Sequence, residues 1–163
     1  MALDMFLVIE GEIEGETKDD VYKTKGGIDV LAFSWGMSQA GSFHMGGGGG
    51  AGKASFQDIS VTKYIDNSSP VLMLYCANGD HFESAEIVVR KAGKDPLEYY
   101  KIKMNKVLIT SVSTGGSGGE DKLTENISLN FESVELAYSK QLADGSGEAP
   151  KEFKWDIGAN VAL

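Results

Sequence analysis

The sequence predicts a mainly β protein in which antiparallel strands are covered by one α-helix. Three observations favour this fold class. Most segments alternate apolar and polar residues with the period of two that marks a strand, and two long segments change the phase of that alternation midway. A single stretch carries the start and stop signals of a helix. Because no linker or repeat divides residues 1–163, we expect one domain.

Four shorter segments alternate clearly enough to predict strands. They are Asp4–Glu10, Ile28–Gln39, Ser55–Ile65 and Ser84–Ala92. In the third of these, Ile59, Val61 and Ile65 fall on one side, which we expect to face the core.

The strand predicted over Ile28–Gln39 has two unlike faces. An exposed stripe of large apolar side chains would leave a long apolar patch, so we expect burial of Leu31, Phe33, Trp35 and Met37. The opposite face is small and uncharged, and consists of Ala32, Ser34, Gly36 and Ser38. Such a face suits a surface that another body approaches closely.

Two long segments, Leu97–Ser113 and Leu123–Ser139, predict strands that bend. In the first segment the apolar residues move from even to odd positions near Asn105–Lys106. In the second segment they move from odd to even positions near Glu132–Ser133. A change of phase requires a β-bulge or a sharp bend, because a slip of one residue turns every side chain to the other face. Long bent strands of this kind serve two sheets, as in a barrel or a tight sandwich.

The helix is predicted in the segment that begins at Asn67. Ser68 or Ser69 is placed to cap it, Pro70 suits its first position, and Asn78-Gly79 provides the stop. Its apolar side would consist of Val71, Leu72, Leu74 and Tyr75.

Composition excludes several classes of protein. The net charge of −9, from 24 acidic and 15 basic residues, argues against binding to nucleic acid or to anionic lipid. Cys76 is the only cysteine, so the fold does not depend on a disulfide within the chain. The first residues lack the basic segment of a cleavable signal peptide, and no apolar run is long enough for a membrane helix. We therefore expect a protein that folds in the cytoplasm.

A glycine-rich stretch raises the alternative of a nucleotide site. Gly47 to Lys53 matches G-x-x-x-x-G-K, most of a phosphate-binding loop. Such a loop needs a helix after it and a Ser or Thr directly after the lysine, whereas Lys53 is followed by Ala54 and an alternating strand. We expect an open hairpin loop instead. The two histidines, the lone cysteine and the acidic run Glu10–Asp20 match no metal-site spacing, so we predict no metal, cofactor or catalytic site.

Several motifs together carry a resemblance that covers nearly the whole chain. They are DMFLVIEGEIEGET, IDVLAFSWGMSQAGSFHMGGGGGAGK, TKYIDNSSPVLM, RKAG, STGGSGGEDKLTENISLNFESVELAY and QLADGS. With them the chain resembles the haemolysin-coregulated protein (Hcp) family, the tube proteins of bacterial type VI secretion systems. The chain departs from the family pattern at YKTKGG before Ile28 and at Lys154 before Trp155.

The resemblance implies a small two-sheet antiparallel β-barrel with one covering helix, assembled as a hexameric ring. Rings of this family stack into a tube, which a contractile sheath drives out of the cell with a spike protein at its tip. Small effector proteins travel in the lumen of some members. The implied localisation is the cytoplasm during assembly and the extracellular space or a target cell afterwards, without a cleavable signal peptide and without insertion into a membrane.

Within such a ring, two sets of residues become candidate contact sites. The small face of Ala32, Ser34, Gly36 and Ser38 would line the lumen and meet effectors, or else pack at a subunit boundary or against the N-terminal strand. The glycine loops would make contacts between subunits or rings, through Gly46, Gly47, Gly48, Gly49, Gly50, Gly52, Lys53, Gly115, Gly116, Gly118 and Gly119. The runner-up function is a monomeric ligand-binding β-barrel.

Overall fold

The computed structural model describes residues 2–41, 43–45 and 52–163. The strands are β1 (Leu3–Ile9), β2 (Ile28–Ser34), β3 (Met37–Ser38), β4 (Ser55–Phe56), β5 (Ile59–Tyr64), β6 (His81–Lys91), β7 (Glu98–Gly115), β8 (Thr124–Tyr138), β9 (Lys151–Asp156) and β10 (Val161–Ala162), and the helix is α1 (Ser68–Asn78). The predicted mainly β fold with one helix is confirmed. Two predicted strands are each divided in the structure, since Ile28–Gln39 forms β2 and β3, and Ser55–Ile65 forms β4 and β5.

Six strands close into an antiparallel barrel. They follow one another in the order β8, β5, β2, β1, β6 and β7, and β7 pairs again with β8. The strands β9 and β10 extend this sheet beyond β8, while β3 and β4 pair with each other in a second, two-stranded sheet. The long strand β8 bonds to β5 with its first half and to β9 with its second half, as expected of a bent strand that serves two parts of a sheet.

All six barrel strands contribute side chains to one core. The fully buried residues include Leu7, Ile28, Ile59, Ile87, Ile102 and Leu129. Each strand supplies them from alternate positions, because successive side chains of a strand point to opposite faces. The interior of the barrel is thus packed with side chains where a ligand-binding barrel would hold its ligand.

The phase change in β7 is achieved by a bend rather than by a bulge. Lys106 has a φ of 52°, an unusual value for a residue with a side chain. The pairs on either side of it, Asn105 with Ser133 and Val107 with Phe131, keep the same register. Both strands of the hairpin therefore change their buried face at the same place, and the register shift of this pair lies further along, between Ile109 and Ser111.

The prediction for the large face of β2 is wrong at two positions. Leu31 is 40% exposed and Met37 is 49% exposed, whereas Phe33 and Trp35 pack partly against the core. The register between β2 and β5 shifts between Val30 and Ala32, so that Leu31 is not paired with a residue of β5. The shift moves burial from even to odd positions, which simple alternation could not show. Ile65, also predicted to face inward, is 38% exposed just beyond the end of β5.

The helix begins earlier than its signals suggested. It starts at Ser68, so Pro70 is its third residue, and the Ser68 amide donates to the Asp66 side chain at 2.9 Å. Its end is as predicted, since Gly79 has a φ of 72° and donates its amide to the Tyr75 carbonyl at 3.1 Å. Leu72 is fully buried, but Leu74, predicted on the same side, is 58% exposed.

Candidate functional site

The small face of β2 belongs to a wider uncharged surface that crosses four strands. Ser34 pairs with Ser60 of β5, which pairs with Ser128 of β8, which in turn pairs with Ser111 of β7. Residues that pair directly across a sheet present their side chains on the same face. The four serines therefore form one continuous row, here called the serine row.

A second uncharged row runs beside the serine row. It consists of Ala32, Thr62, Asn126 and Ser113, one from each of the same four strands. Side chains within the two rows bond to each other, since Thr62 Oγ1 donates to Asn126 Oδ1 at 2.6 Å and Ser111 Oγ donates to Ser128 Oγ at 2.8 Å. All eight residues are exposed or half-buried. The surface offers hydroxyl and amide groups, which adapt to varied polar partners.

Two further predicted lumen residues lie just beyond these rows. Ser38, in β3, is exposed, and Gly36 is half-buried beside Gln57. The Gly36 carbonyl accepts a hydrogen bond from the Gln57 amide at 3.0 Å. Ala32 and Ser34 therefore belong to the uncharged surface, while Gly36 and Ser38 follow them in the chain beyond the end of β2.

The candidate contact loops lie at opposite ends of this surface. Gly115 pairs with Thr124 at the end of β7, so the turn that contains Gly116, Gly118 and Gly119 projects from that end. The strands β3 and β4 follow the other end, where Ser34 pairs with Ser60, and they bring Gly52 and the exposed Lys53 there. Gly46, Gly47, Gly48, Gly49 and Gly50 lie outside the described residues. A head-to-tail contact between copies joins two different surfaces, and the two ends of this barrel differ from each other.

The exposed side chain of Leu123 lies against one glycine of the turn between β7 and β8. A Cβ atom on Gly116 would lie 2.0 Å from Leu123 Cδ2, so the side chain of Leu123 occupies that space. At Gly115 and Gly118 a Cβ atom would meet nothing within 4 Å. In this turn Leu123 lies against Gly116, while the space beside Gly115 and Gly118 is open.

The outer face of the opposite part of the barrel is charged. Glu86 of β6 pairs with Lys103 of β7, which pairs with Glu135 of β8, which pairs with Lys154 of β9. Lys154 Nζ also lies 2.9 Å from Glu152 Oε2. Opposite charges that face each other across strands stabilise the sheet modestly. The barrel therefore has one uncharged outer surface and one surface with alternating charges.

Comparisons with known proteins bear on what such a barrel does. The family model described as "Type VI secretion system effector, Hcp" matches residues 6–138. The chain belongs to this Hcp family. Protein hcp1 of Pseudomonas aeruginosa is 54% identical over 163 residues, with 99% of each chain covered.

Solved structures agree with this assignment to the Hcp family. Hcp1 from Salmonella typhimurium is 36% identical, with a TM-score of 0.80 and full coverage of both chains. A structure described as a type six secretion system protein is 26% identical, with a TM-score of 0.91 over 99% of this chain and 100% of that one. This Hcp chain is a tube or effector protein of a type VI secretion system, and the family is one of secreted structural proteins. Among the described residues, no helix is long and apolar enough to cross a bilayer.

The alternatives left open by the sequence gain no support in this Hcp chain. Lys53 precedes strand β4, so the helix that a phosphate-binding loop needs does not follow it. Within the part of the chain that the structure describes, no three His, Cys, Asp or Glu side chains come together as a metal site. The packed interior offers no support for a monomeric ligand-binding barrel.

Sequence reasoning missed a buried ionic network beside α1. Lys63 and Glu125 are both fully buried and form an ion pair between β5 and β8. Lys63 Nζ also donates to the Tyr64 carbonyl at 2.9 Å, to Asp66 Oδ1 at 3.1 Å and to Ser69 Oγ at 3.3 Å. The network thereby ties the start of α1 to the barrel. The signal was present, since Lys63 and Glu125 occupy inward positions of their strands' alternation.

A second missed cluster holds the segment before β2 against the outer face of β1 and β6. The rings of Phe6 and Tyr22 stack at 4.3 Å, and the Arg90 guanidinium lies 4.9 Å from the centre of the Phe6 ring. Arg90 also forms an ion pair with Asp19. Burial works against the charge of Asp19, but hydrogen bonds from the Tyr22 amide and from Arg90 outweigh it and lower the pKa of Asp19.

Proposed function

We propose that six copies of this chain form a ring, and that stacked rings form the tube of a type VI secretion system. The observation that carries the proposal is the uncharged surface made by the serine row and the row beside it. In a chain with 24% charged residues, two adjacent rows across four strands without a charge are unusual for a surface that faces bulk solvent. Such a surface suits the lumen of a tube, where cargo must bind without being held tightly.

The two unlike surfaces of the barrel support one orientation in the ring. The serine row faces the lumen, and the surface with Glu86, Lys103, Glu135 and Lys154 faces outward. The outward surface then meets the contractile sheath, and the ring at the tip meets the spike protein. Charged side chains suit a contact that must form and release, because solvent-exposed ion pairs contribute little free energy each.

Stacking of rings uses the two ends of the barrel. The turn with Gly116, Gly118 and Gly119 projects from one end, and Gly52 and Lys53 lie at the other. A contact between unlike surfaces repeats without closing on itself, so it builds an open tube rather than a closed pair of rings. Gly118, where a Cβ atom would meet nothing within 4 Å, leaves room for the backbone of the next ring to approach.

The protein acts as a building block and a carrier rather than as an enzyme. Small effector proteins ride in the lumen, against the hydroxyl groups of the uncharged surface. Assembly takes place in the cytoplasm, and the folded chain leaves the cell with the tube. No cofactor, metal ion or nucleic acid takes part in this function.

The experiment substitutes one small residue on the uncharged surface. Ser34→Gln and Ser60→Gln place a larger side chain in the same row on neighbouring strands. We expect the rings of both variants to form normally, while the amount of effector that co-purifies with them falls severalfold. Ser84→Gln is the matched control, because Ser84 lies in β6 on the charged side of the barrel and bonds to Glu10 there. It should retain the effector as the wild type does.

Two results would contradict the placement of Ser34 in the lumen. If Ser34 lies at a subunit boundary, Ser34→Gln breaks the ring, and gel filtration shows the loss of the hexamer. If the surface faces neither cargo nor a subunit, both variants retain the ring and the full amount of effector.

A further inference from the structure

The strand β7 contains one residue more than its partner β8 beside the uncharged surface. Ile109 pairs with Leu129, and Ser111 pairs with Ser128, so two steps along β7 match one step along β8. Thr110 is therefore the extra residue of a β-bulge. Thr110 and Ser111 are both exposed, although neighbouring residues of a regular strand point to opposite faces.

The bulge determines which side chains of β7 reach the uncharged surface. Beyond it, Val112 packs partly against the core, while Ser111 and Ser113 lie in the two uncharged rows. In a strand without the extra residue, Val112 would pair with Asn126 on the outer surface, and both serines would turn inward. The bulge therefore places the Ser113 hydroxyl where the surface would otherwise carry an apolar side chain.

Core packing alone does not determine which residue is the extra one. Ile109 and Val112 keep their inward positions whether the extra residue is Thr110 or Ser111. In the second arrangement Thr110 would pair with Ser128, and Ser111 would leave the serine row. The row would then carry the larger side chain of Thr110, with its methyl group. A contact outside the core has to decide between the two placements of the bulge.

The carboxylate of Asp58 makes such a contact. Asp58 is half-buried directly before β5, and its Oδ2 accepts a hydrogen bond from Thr110 Oγ1 at 2.7 Å. Its Oδ1 accepts a second hydrogen bond from Asn130 Nδ2 of β8 at 2.8 Å. Thr110 is thereby held beside Asn130 by a carboxylate, which is a stronger acceptor than a neutral group. The place opposite Ser128 is left to Ser111, whose hydroxyl donates to Ser128 Oγ at 2.8 Å.

We propose that Asp58 is a positioning residue for the uncharged surface, because it binds the Thr110 hydroxyl and so keeps Ser111 in the serine row. Asp58 acts through Thr110 and does not itself need to touch cargo. The contact of Ser111 with cargo rests on the proposed function, whereas the placement of the bulge is a property of one chain.

The first test measures the placement of the bulge by crosslinking. Cys76→Ala removes the only native thiol, and Ser111→Cys/Ser128→Cys then places two thiols where the hydroxyl oxygens lie 2.8 Å apart. Such a pair forms a disulfide readily only when the two residues face each other. Asn105→Cys/Ser133→Cys is the matched control, because these residues pair in the same two strands before the bulge.

Disulfide formation is followed through the loss of free thiol under a mild oxidant. We expect Asp58→Ala and Thr110→Val each to slow the crosslink between positions 111 and 128 severalfold, and to leave the control crosslink unchanged. Thr110→Val keeps the shape of the side chain and removes only the hydroxyl, so it separates the hydrogen bond from the charge of Asp58. Thr110→Ser keeps the hydroxyl and should leave the rate of crosslinking as it was.

The second test asks whether the position of Ser111 matters for cargo. Its probe is the effector that co-purifies with the wild-type ring, measured per ring after gel filtration. We expect Asp58→Ala and Thr110→Val to form rings that retain severalfold less effector, while Thr110→Ser retains the full amount. If the wild type gives no ring or no effector, the proposed function fails, and the crosslinking alone decides the placement of the bulge.

Four results would overturn the proposal. Equal crosslinking with and without Asp58 would show that core packing places the bulge, and equal slowing of both crosslinks would show that Asp58 only stabilises the sheet. A loss of effector in Asp58→Ala that Thr110→Val does not share would assign the role to the charge of Asp58. Full retention of effector by rings with a slowed crosslink would show that the position of Ser111 does not matter for cargo.

Discussion

Removal of the buried amine of Lys63 should destabilise the fold more than any exposed substitution. In Lys63→Met the alkyl chain is replaced by one of similar volume, but Glu125 loses its ionic partner while remaining fully buried. One carboxylate oxygen, Glu125 Oε2, is already buried without a hydrogen-bond donor. The other keeps only the Ser69 hydroxyl, which donates to it at 2.5 Å.

The magnitude follows from the cost of a buried charge without a partner. Loss of one partner of a buried ion pair costs about 3–5 kcal/mol. The free energy of unfolding of a whole domain is about 5–15 kcal/mol, so the single variant should be close to unfolding. In the double variant Lys63→Met/Glu125→Leu no buried charge remains between β5 and β8. We expect it to recover most of the lost free energy, because an apolar pair of similar volume can replace a buried ion pair.

The assay is urea unfolding followed by tryptophan fluorescence. Trp35 and Trp155 both pack partly against the core, so their emission should change when the core opens. Measurements at two protein concentrations separate the stability of the chain from that of any assembly. The reasoning is refuted if Lys63→Met costs less than about 1 kcal/mol, the range of an exposed ion pair. It is also refuted if the double variant is no more stable than Lys63→Met, since the two losses would then be independent.

Two further predictions concern other parts of the chain. Asp19→Ala removes the ion pair with Arg90 and the acceptor of the Tyr22 amide, so we expect it to lower the free energy of unfolding by about 2 kcal/mol at neutral pH. Because the pKa of Asp19 is lowered in the folded state, this difference should be present above the ordinary value of 3.8 and should shrink as the pH falls below it, and a constant difference at all pH values would contradict the assignment. For Lys53, isothermal titration of the wild type with ATP and Mg²⁺ should give no saturable heat, and a saturable isotherm that Lys53→Ala abolishes would restore the nucleotide site.

Local patterns were sufficient to predict the six barrel strands and the helix, but β9 and β10 were not predicted. Alternation located β1, β5, β6, β7 and β8 because each strand has one face in the core, and Gly79 marked the end of α1 through its left-handed backbone. The change of buried face near Lys106 was predicted as a bulge or a bend, and the structure has the bend. These features depend on residues that are neighbours in the chain.

The remaining features depend on register, which local patterns do not determine. A shift of one position beside Leu31 changed which residues of β2 are buried, and no residue type marks such a shift. The serine row could not be predicted beyond Ser34, because Ser60, Ser111 and Ser128 come from strands far apart in the chain. Lys63 and Glu125 each occupy an inward position, yet only the pairing of β5 with β8 shows that they form an ion pair with each other.

The mass of the purified protein in solution tests the central claim most directly. Light scattering coupled to gel filtration, at micromolar concentrations and above, should give six times the mass of one chain, and negative-stain images of the same peak should show rings with a central pore. A mass equal to one chain at every concentration, with no rings in the images, would contradict the proposal that this Hcp chain is the ring-forming subunit of a secretion tube.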